Sequence, residues 1–379
     1  MNLLTQHRGL LDSLATRGRL RVRQPLAGVD FASNDYLGLA GSDILRGIAM
    51  AALARGVAPG AGAARLLRGN DPEFVMLEAE AAAHFGAGAA LFLANCYVAN
   101  LAIFSALPQT RDLVVHDALI HASAVDGLRL SGAAARGFAH NDVQSAADVI
   151  ATWRADGGRG HVWIACESLY SMEGDRAPLD DLHKLAGQMG AFLIVDEAHA
   201  TGIWGLGGRG LSAPWAKDET VVTLHTCGKA LGVSGALICA APVLCEVLVN
   251  RARSFIYSTA PSPLIAAMVR GVLSLLAEDG SRREALLNRV AQVGARAERH
   301  GLAVSGTQIL PVPIGDDHQT MRIAGKLQTQ GFDVRGIRSP TVPKGQERLR
   351  LSVTLNPTDA DIDAMFAALS DILCEEELA

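Results

Sequence analysis

The chain has 379 residues, 49% of them apolar and 19% charged, which suits a large buried core and excludes a disordered chain. Lys and Arg total 34 against 39 Asp and Glu, and the formal charge of -5 supplies no overall basic footprint for nucleic acid. The six cysteines (Cys96, Cys166, Cys227, Cys239, Cys245, Cys374) form no C-x-x-C pair and suit reduced thiols in a cytosolic protein better than a disulfide framework.

The N-terminus carries no apolar stretch before a small-residue cleavage site, and the spacing of Leu3, Leu10, Leu11 and Leu14 predicts an amphipathic surface helix. No Lys, Arg, Asp or Glu occurs from His84 to Leu107. Gly86, Gly88, Asn95 and Asn100 interrupt that stretch, however, and its most apolar part, Ala89–Ala94, is only strand-sized, so no membrane span is predicted. A soluble, cytoplasmic protein is expected.

Further apolar runs at Leu113–His116, His161–Cys166, Phe192–Asp196, Val221–Leu224 and Ala236–Ala240 read as strands, with helix-length stretches such as Asp142–Trp153 and Leu179–Met189 between them. Near-continuous apolar strands separated by helices predict a mostly parallel sheet covered on both faces. The pattern changes at Ser281. A long helix, Arg283–His300, precedes strands at Ile309–Ile314 and Phe332–Ile337 with a helix between them, then a strand at Arg348–Thr354 and a closing helix, Asp359–Leu373. The expected organisation is an α/β protein with an N-terminal segment (1–40), a large domain (41–280) and a small α+β C-terminal domain (281–379).

Two motifs mislead. Gly205-Leu206-Gly207-Gly208-Arg209-Gly210 fits the dinucleotide fingerprint, but about eight residues separate it from the nearest strand and Pro214 follows, so no helix opens through it. Asp196-Glu197-Ala198-His199 spells a helicase box. A phosphate loop is missing, because the Gly228-Lys229 pair has Thr223 at the first glycine position and Ala230 where a hydroxyl would bind magnesium. The histidines show no metal-ligand spacing, so no metal site is expected.

Three segments at strand ends do carry chemistry: Asp117 to His121, Asp196 to His199, and Thr226 to Lys229. Strand ends are where open α/β sheets place their sites. An Asp, a Lys and two His brought together suit pyridoxal phosphate. The amine forms a Schiff base, the carboxylate keeps the pyridine nitrogen protonated, an imidazole stacks on the ring, and hydroxyl and backbone N–H groups hold the phosphate. Singly, each of these residues reads as a cap, a surface charge or a structural histidine. A strand-Asp-x-x-His segment followed about thirty residues later by strand-Thr-x-Gly-Lys is far more specific.

Over nearly its whole length the sequence resembles the α-oxoamine synthases of pyridoxal-phosphate fold type I. The resemblance is carried by Phe31 through Gly38, Asp117 through Ser123, Ser171 through Asp175, Val195 through Gly202, Thr226 through Gly232, Tyr257 through Thr259 and Arg348 through Ser352. Phe138 through Asp142 and Pro340 through Pro343 point to the branch serving biotin biosynthesis. The resemblance implies that Lys229 holds the cofactor, Asp196 pairs with its pyridine nitrogen, His121 stacks on its ring, His199 bonds the ring oxygen and Ser171 lies beside it. It assigns the phosphate to Thr226 and the backbone around Cys96 and Tyr97, with Ser258 and Thr259 reaching in from a second subunit of a homodimer. Arg350 would fix the amino-acid carboxylate with Asn34 nearby, and Arg21 and Thr341 would contact the acyl substrate. The implied reaction is a decarboxylating condensation of L-alanine with a pimeloyl thioester, carried by coenzyme A or acyl carrier protein.

Two departures stand out. Cys96 replaces a glycine usual before the aromatic residue, which crowds the phosphate approach, and Phe74 replaces a common histidine. Three alternatives stay open: a family member using glycine, serine or another acyl group, a noncatalytic paralogue, and a nucleic-acid-dependent ATPase. Retention of Lys229 argues against the second, and the missing phosphate loop against the third.

Overall fold

The computed structural model describes residues 3–377, and the chain divides into two units. The larger comprises Leu37–Ser171 and Arg176–Glu284; the smaller comprises the chain up to Tyr36, Met172–Asp175, and everything from Ala285 on.

The larger unit is built on a seven-stranded sheet. Its strands are β1 (Ala89–Leu93), β2 (Leu113–Asp117), β3 (Ala134–Phe138), β4 (Val162–Glu167), β5 (Phe192–Asp196), β6 (Val221–Thr226) and β7 (Ala236–Ala240). They lie in the order β1-β7-β6-β5-β4-β2-β3. Only β7 runs against its neighbours; the other pairings are parallel. Successive residues of a strand point to opposite faces, so Val114 and Ile194 join one buried cluster while Leu113, Val115, Leu193 and Val195 join the other. Both faces are dry, which is why these strands read as unbroken apolar runs.

Six strands of this sheet match expected runs. The seventh, β3, was not expected, because its sequence AARGF carries Arg136 and Gly137 and leaves Ala134 and Ala135 exposed. It is an edge strand paired only with β2, so one face and one edge meet solvent. The helix expected at Asp142–Trp153 runs Val143–Ala155, with Asp142 capping it through the Ser145 N–H. The Leu179–Met189 helix has the expected limits.

In the smaller unit, Arg348–Ser352 lies between Ile309–Pro313 and Arg335–Ile337 in an antiparallel sheet. Helices Asp317–Thr329 and Asp359–Glu377 belong to the same unit. The expected Phe332–Ile337 strand is split. A bond from the Val334 N–H to the Phe332 carbonyl bends the chain, so that Phe332–Asp333 pairs with Val29–Asp30 and Arg335–Ile337 pairs with Arg348–Arg350. The N-terminal helix, Thr5–Thr16, buries none of its residues. Among the described residues no helix is long and apolar enough to cross a membrane.

Candidate active site

The site in the larger unit assembles where β2, β5 and β6 end. β5 finishes on Asp196, which is 6% exposed. Its Oδ1 accepts the Ala198 N–H at 2.9 Å, and its Oδ2 accepts the Asn100 amide at 2.9 Å and faces the Cys96 thiol at 3.8 Å. The carboxylate is thus oriented from two sides by neutral donors.

β6 finishes on Thr226, whose hydroxyl accepts the Gly228 N–H at 3.3 Å. Beyond it the chain turns back on itself: Cys227 N–H bonds Gly235 O, Val233 N–H bonds Cys227 O, and Gly232 N–H bonds Lys229 O. Half-buried Lys229 rides on this closed turn, with its Nζ 2.7 Å from His199 Nε2. The approach of an amine to an imidazole at that distance places both side chains at one point in the site.

β2 feeds the loop that ends in His121, the N-cap of the helix Ala122–Leu130. The His121 Nδ1 shares a 2.7 Å hydrogen bond with the Ser123 hydroxyl, which also accepts the second Asn100 contact at 2.9 Å. Burial holds the His121 imidazole below its usual range; Asp196 opposes that and the Lys229 charge adds to it. Burial also pushes the Cys96 thiol well up, helped by Asp196 and opposed by Lys229. The two shifts show that His121, Cys96, Asp196 and Lys229 share one electrostatic environment.

Cys96 and Tyr97 open the helix Cys96–Ala106, capped by the Asn95 side chain on Val98 N–H. The first N–H groups of a helix have no intrahelical partner and favour an anion. Tyr97 itself is 43% exposed and bonds Asp126. Ser258 and Thr259 line a small cavity with Ala94 and Val98, close to that helix start. Ser171 lies half-buried in the turn after Tyr170. A buried carboxylate, an amine, two imidazoles, a hydroxyl at a strand end and an open helix start make a donor set that fits pyridoxal phosphate.

One departure from the family pattern, Phe74, has a local cause, and the misleading glycine-rich segment has another role. Phe74 is fully buried, stacks on Phe92 and lies under the Arg65 guanidinium at 4.6 Å, while Arg65 is gripped by both Glu78 oxygens. Its ring is core packing plus a cation–π contact. The glycine-rich 205–210 segment wraps Glu197. A Cβ on Gly210 would stand 2.7 Å from the Glu197 carboxyl carbon, and the carboxylate accepts from Leu211 N–H and from both Ser212 donors. That loop covers a buried acid rather than opening a helix.

In the smaller unit, Arg350 is 6% exposed and so is not a solvated surface charge. It donates to Ser352 Oγ at 2.9 Å, Asn34 Oδ1 at 3.1 Å and the Tyr36 hydroxyl at 3.3 Å. Arg21 and Thr341 approach to 3.4 Å and line a cavity of about 380 Å³ that Arg335 and Arg338 also border.

Asn100 and Ser123 were missed by sequence reasoning. The signal for Asn100 was present, since it is the one polar side chain in the run Val98–Phe104, but it reads there only as an interruption of an apolar stretch. Among the described residues no cluster of three or more His, Cys, Asp or Glu is arranged to hold a metal.

Residues 27–369 match the family described as aminotransferase class I and II. The 8-amino-7-oxononanoate synthase of Acidithiobacillus ferrooxidans is 39% identical over 369 residues, 97% of this chain and 92% of the relative. The structure of 8-amino-7-oxononanoate synthase from Francisella tularensis is 27% identical, with a TM-score of 0.77 over 92% of this chain and 99% of that one. Serine palmitoyltransferase from S. paucimobilis, with a bound aldimine of pyridoxal phosphate and myriocin, is 22% identical and covers 100% of both chains at a TM-score of 0.87, a likeness of fold.

Proposed function

This chain belongs to the class I and II aminotransferase family as a pyridoxal-phosphate-dependent α-oxoamine synthase of fold type I, and from that premise we propose that it condenses L-alanine with a pimeloyl thioester. The products are 8-amino-7-oxononanoate, carbon dioxide and the free thiol of coenzyme A or acyl carrier protein. The observation that carries this reading is the 39% identity to an 8-amino-7-oxononanoate synthase over 97% of the chain.

Bound pyridoxal phosphate supplies an electron sink for a carbanion at the amino-acid Cα. The residues of this chain do the rest. Lys229 would anchor the cofactor, and its amine would serve as the general base that takes the Cα proton of alanine. Asp196 would hold a proton at the pyridine nitrogen, and the amide of Asn100 donates to its Oδ2 and so helps orient the carboxylate. His121 covers one ring face and His199 holds the ring oxygen, with Ser171 beside it. Thr226 and the first N–H groups of the Cys96–Ala106 helix take the phosphate.

Arg350, with Asn34, holds the α-carboxylate of alanine through its forked donors. Arg21 and Thr341 contact the acyl chain. Ser258 and Thr259 complete the phosphate site of a second copy in a homodimer. The protein works in the cytoplasm.

A matrix of amino acids against acyl thioesters, read by thiol release, tests the assignment. L-Alanine with pimeloyl thioester is expected to give the highest kcat/KM. A preference for serine or glycine, or for a long unfunctionalised acyl chain, would assign the chain to another branch of the family.

A further inference from the structure

One polar cluster in the larger unit takes no part in the chemistry above. Asp117 ends β2 with its side chain fully buried, and a buried carboxylate is tolerated only when its oxygens are satisfied. Three donors do this. Leu119 N–H and His140 Nδ1 meet Oδ1 at 2.8 and 2.9 Å, and Asn141 N–H meets Oδ2 at 2.9 Å. Leu119 belongs to the loop that delivers His121. His140 and Asn141 belong to the loop after β3, the strand paired with β2 so that Asp117 stands opposite Phe138.

The donors fix the tautomer of His140. With Nδ1–H given to Asp117, Nε2 accepts, and the Asn141 amide donates to it at 3.2 Å while also reaching the Arg176 carbonyl at 3.3 Å. Asn141 adopts φ +57°, a left-handed conformation that costs energy in a non-glycine residue and persists only where neighbours over-determine it. The other side of the His140 ring stands edge-on to Tyr170, with centroids 4.5 Å apart and planes at 87°. Tyr170 directly precedes Ser171. One imidazole therefore ties the loop carrying His121 to the turn carrying Ser171.

We propose that His140 is a positioning residue: through Asp117 and Tyr170 it sets the places of His121 and Ser171, and so the grip on the cofactor ring. This rests on the roles given to His121 and Ser171 above. The two halves of the contact are separable. His140→Asn keeps a donor where Nδ1 stands, whereas His140→Phe keeps the ring against Tyr170 and removes the donor to Asp117.

The test reads three quantities on each variant. These are hydrogen–deuterium exchange of the 117–124 segment in cofactor-free protein, pyridoxal phosphate affinity by titration, and steady-state kinetics of the loaded enzyme. His140→Phe is expected to speed exchange of that segment, and to weaken cofactor binding and lower kcat each by about tenfold, a cost in keeping with displacement of a reacting-site group. KM for the thioester should stay within about twofold. His140→Asn should restore exchange of that segment to within about threefold of the parent, with cofactor affinity and kcat between those of the parent and His140→Phe because the ring against Tyr170 is lost. If His140→Phe does not fold, His140→Leu, which likewise offers Asp117 no donor, replaces it with the same expectations. Unchanged exchange in the donor-less variant would overturn the proposal while leaving the Lys229 site standing. Faster exchange with unaltered cofactor affinity and kcat would also overturn it, and would turn suspicion on the roles of His121 and Ser171.

Discussion

The side-chain amide of Asn100 donates to Asp196 Oδ2 across 2.9 Å, from a helix whose other inward residues are apolar. The same nitrogen lies 2.9 Å from the Ser123 hydroxyl, so one amide ties the strand-end carboxylate to the hydroxyl that also holds His121. Asn100→Ala removes a hydrogen bond to a charged group in a nearly dry site, worth about 1.5–3 kcal/mol. Pyridoxal phosphate affinity should fall by roughly tenfold to a hundredfold, with far-ultraviolet circular dichroism unchanged. Titration of the cofactor-free variant checks this; parent-like affinity would mean that Asp196 does not depend on Asn100.

Arg350 is buried and forked between Asn34, Tyr36 and Ser352. Arg350→Lys keeps the charge and loses the parallel donors, so KM for L-alanine should rise at least about tenfold while KM for the thioester changes little. Varying each substrate in turn reads the difference. An unmoved alanine KM would leave the carboxylate anchor to another residue.

The thiols offer a test of burial. Cys374 is exposed, whereas Cys166, Cys227, Cys239 and Cys245 are buried, and burial together with Asp196 pushes the Cys96 thiol well above its ordinary range. A disulfide reagent at pH 8 should therefore titrate one thiol rapidly in the folded protein, at Cys374, and all six after denaturation. Rapid labelling of Cys96 would contradict the site as described.

Stability should fall on mild acidification. His225 is buried between the Thr201 and Thr223 hydroxyls and stacked on Phe85, and burial, with help from His84, pushes it down to about 3. Below the ordinary value of 6.5 the unfolded chain takes up a proton there and the folded one does not. The stabilisation is therefore complete above 6.5 and is lost as pH falls toward 3. Between pH 7 and 5 this one group accounts for about 2 kcal/mol. His225→Gln should flatten the fall in Tm over that interval, and an identical fall in the variant would disprove the assignment.

Most of the sheet was legible because its strands are buried on both faces and so read as continuous apolar runs. The edge strand Ala134–Phe138 was not, since solvent on one side removes that signal. The bend at Val334 was hidden because a backbone hydrogen bond, not a Gly or Pro, divides the run. The site was legible where charged residues stand at strand ends, as with Asp196 and Lys229. It was not legible at Asn100 and Ser123, whose roles arise only from packing two helices beside that strand end. Arg350 was legible only through the resemblance, since its burial comes from packing that spacing does not reveal.

The account turns on Lys229, one of only five lysines in the chain. Borohydride reduction of the pyridoxal-phosphate-loaded enzyme fixes the cofactor to the amine that holds it, and peptide mapping locates the label. The account predicts a single pyridoxyl group on the peptide containing Lys229, and none in Lys229→Ala, which should fold and show no turnover. A label on Lys184 or Lys217, or turnover by Lys229→Ala at the parent rate, would contradict it.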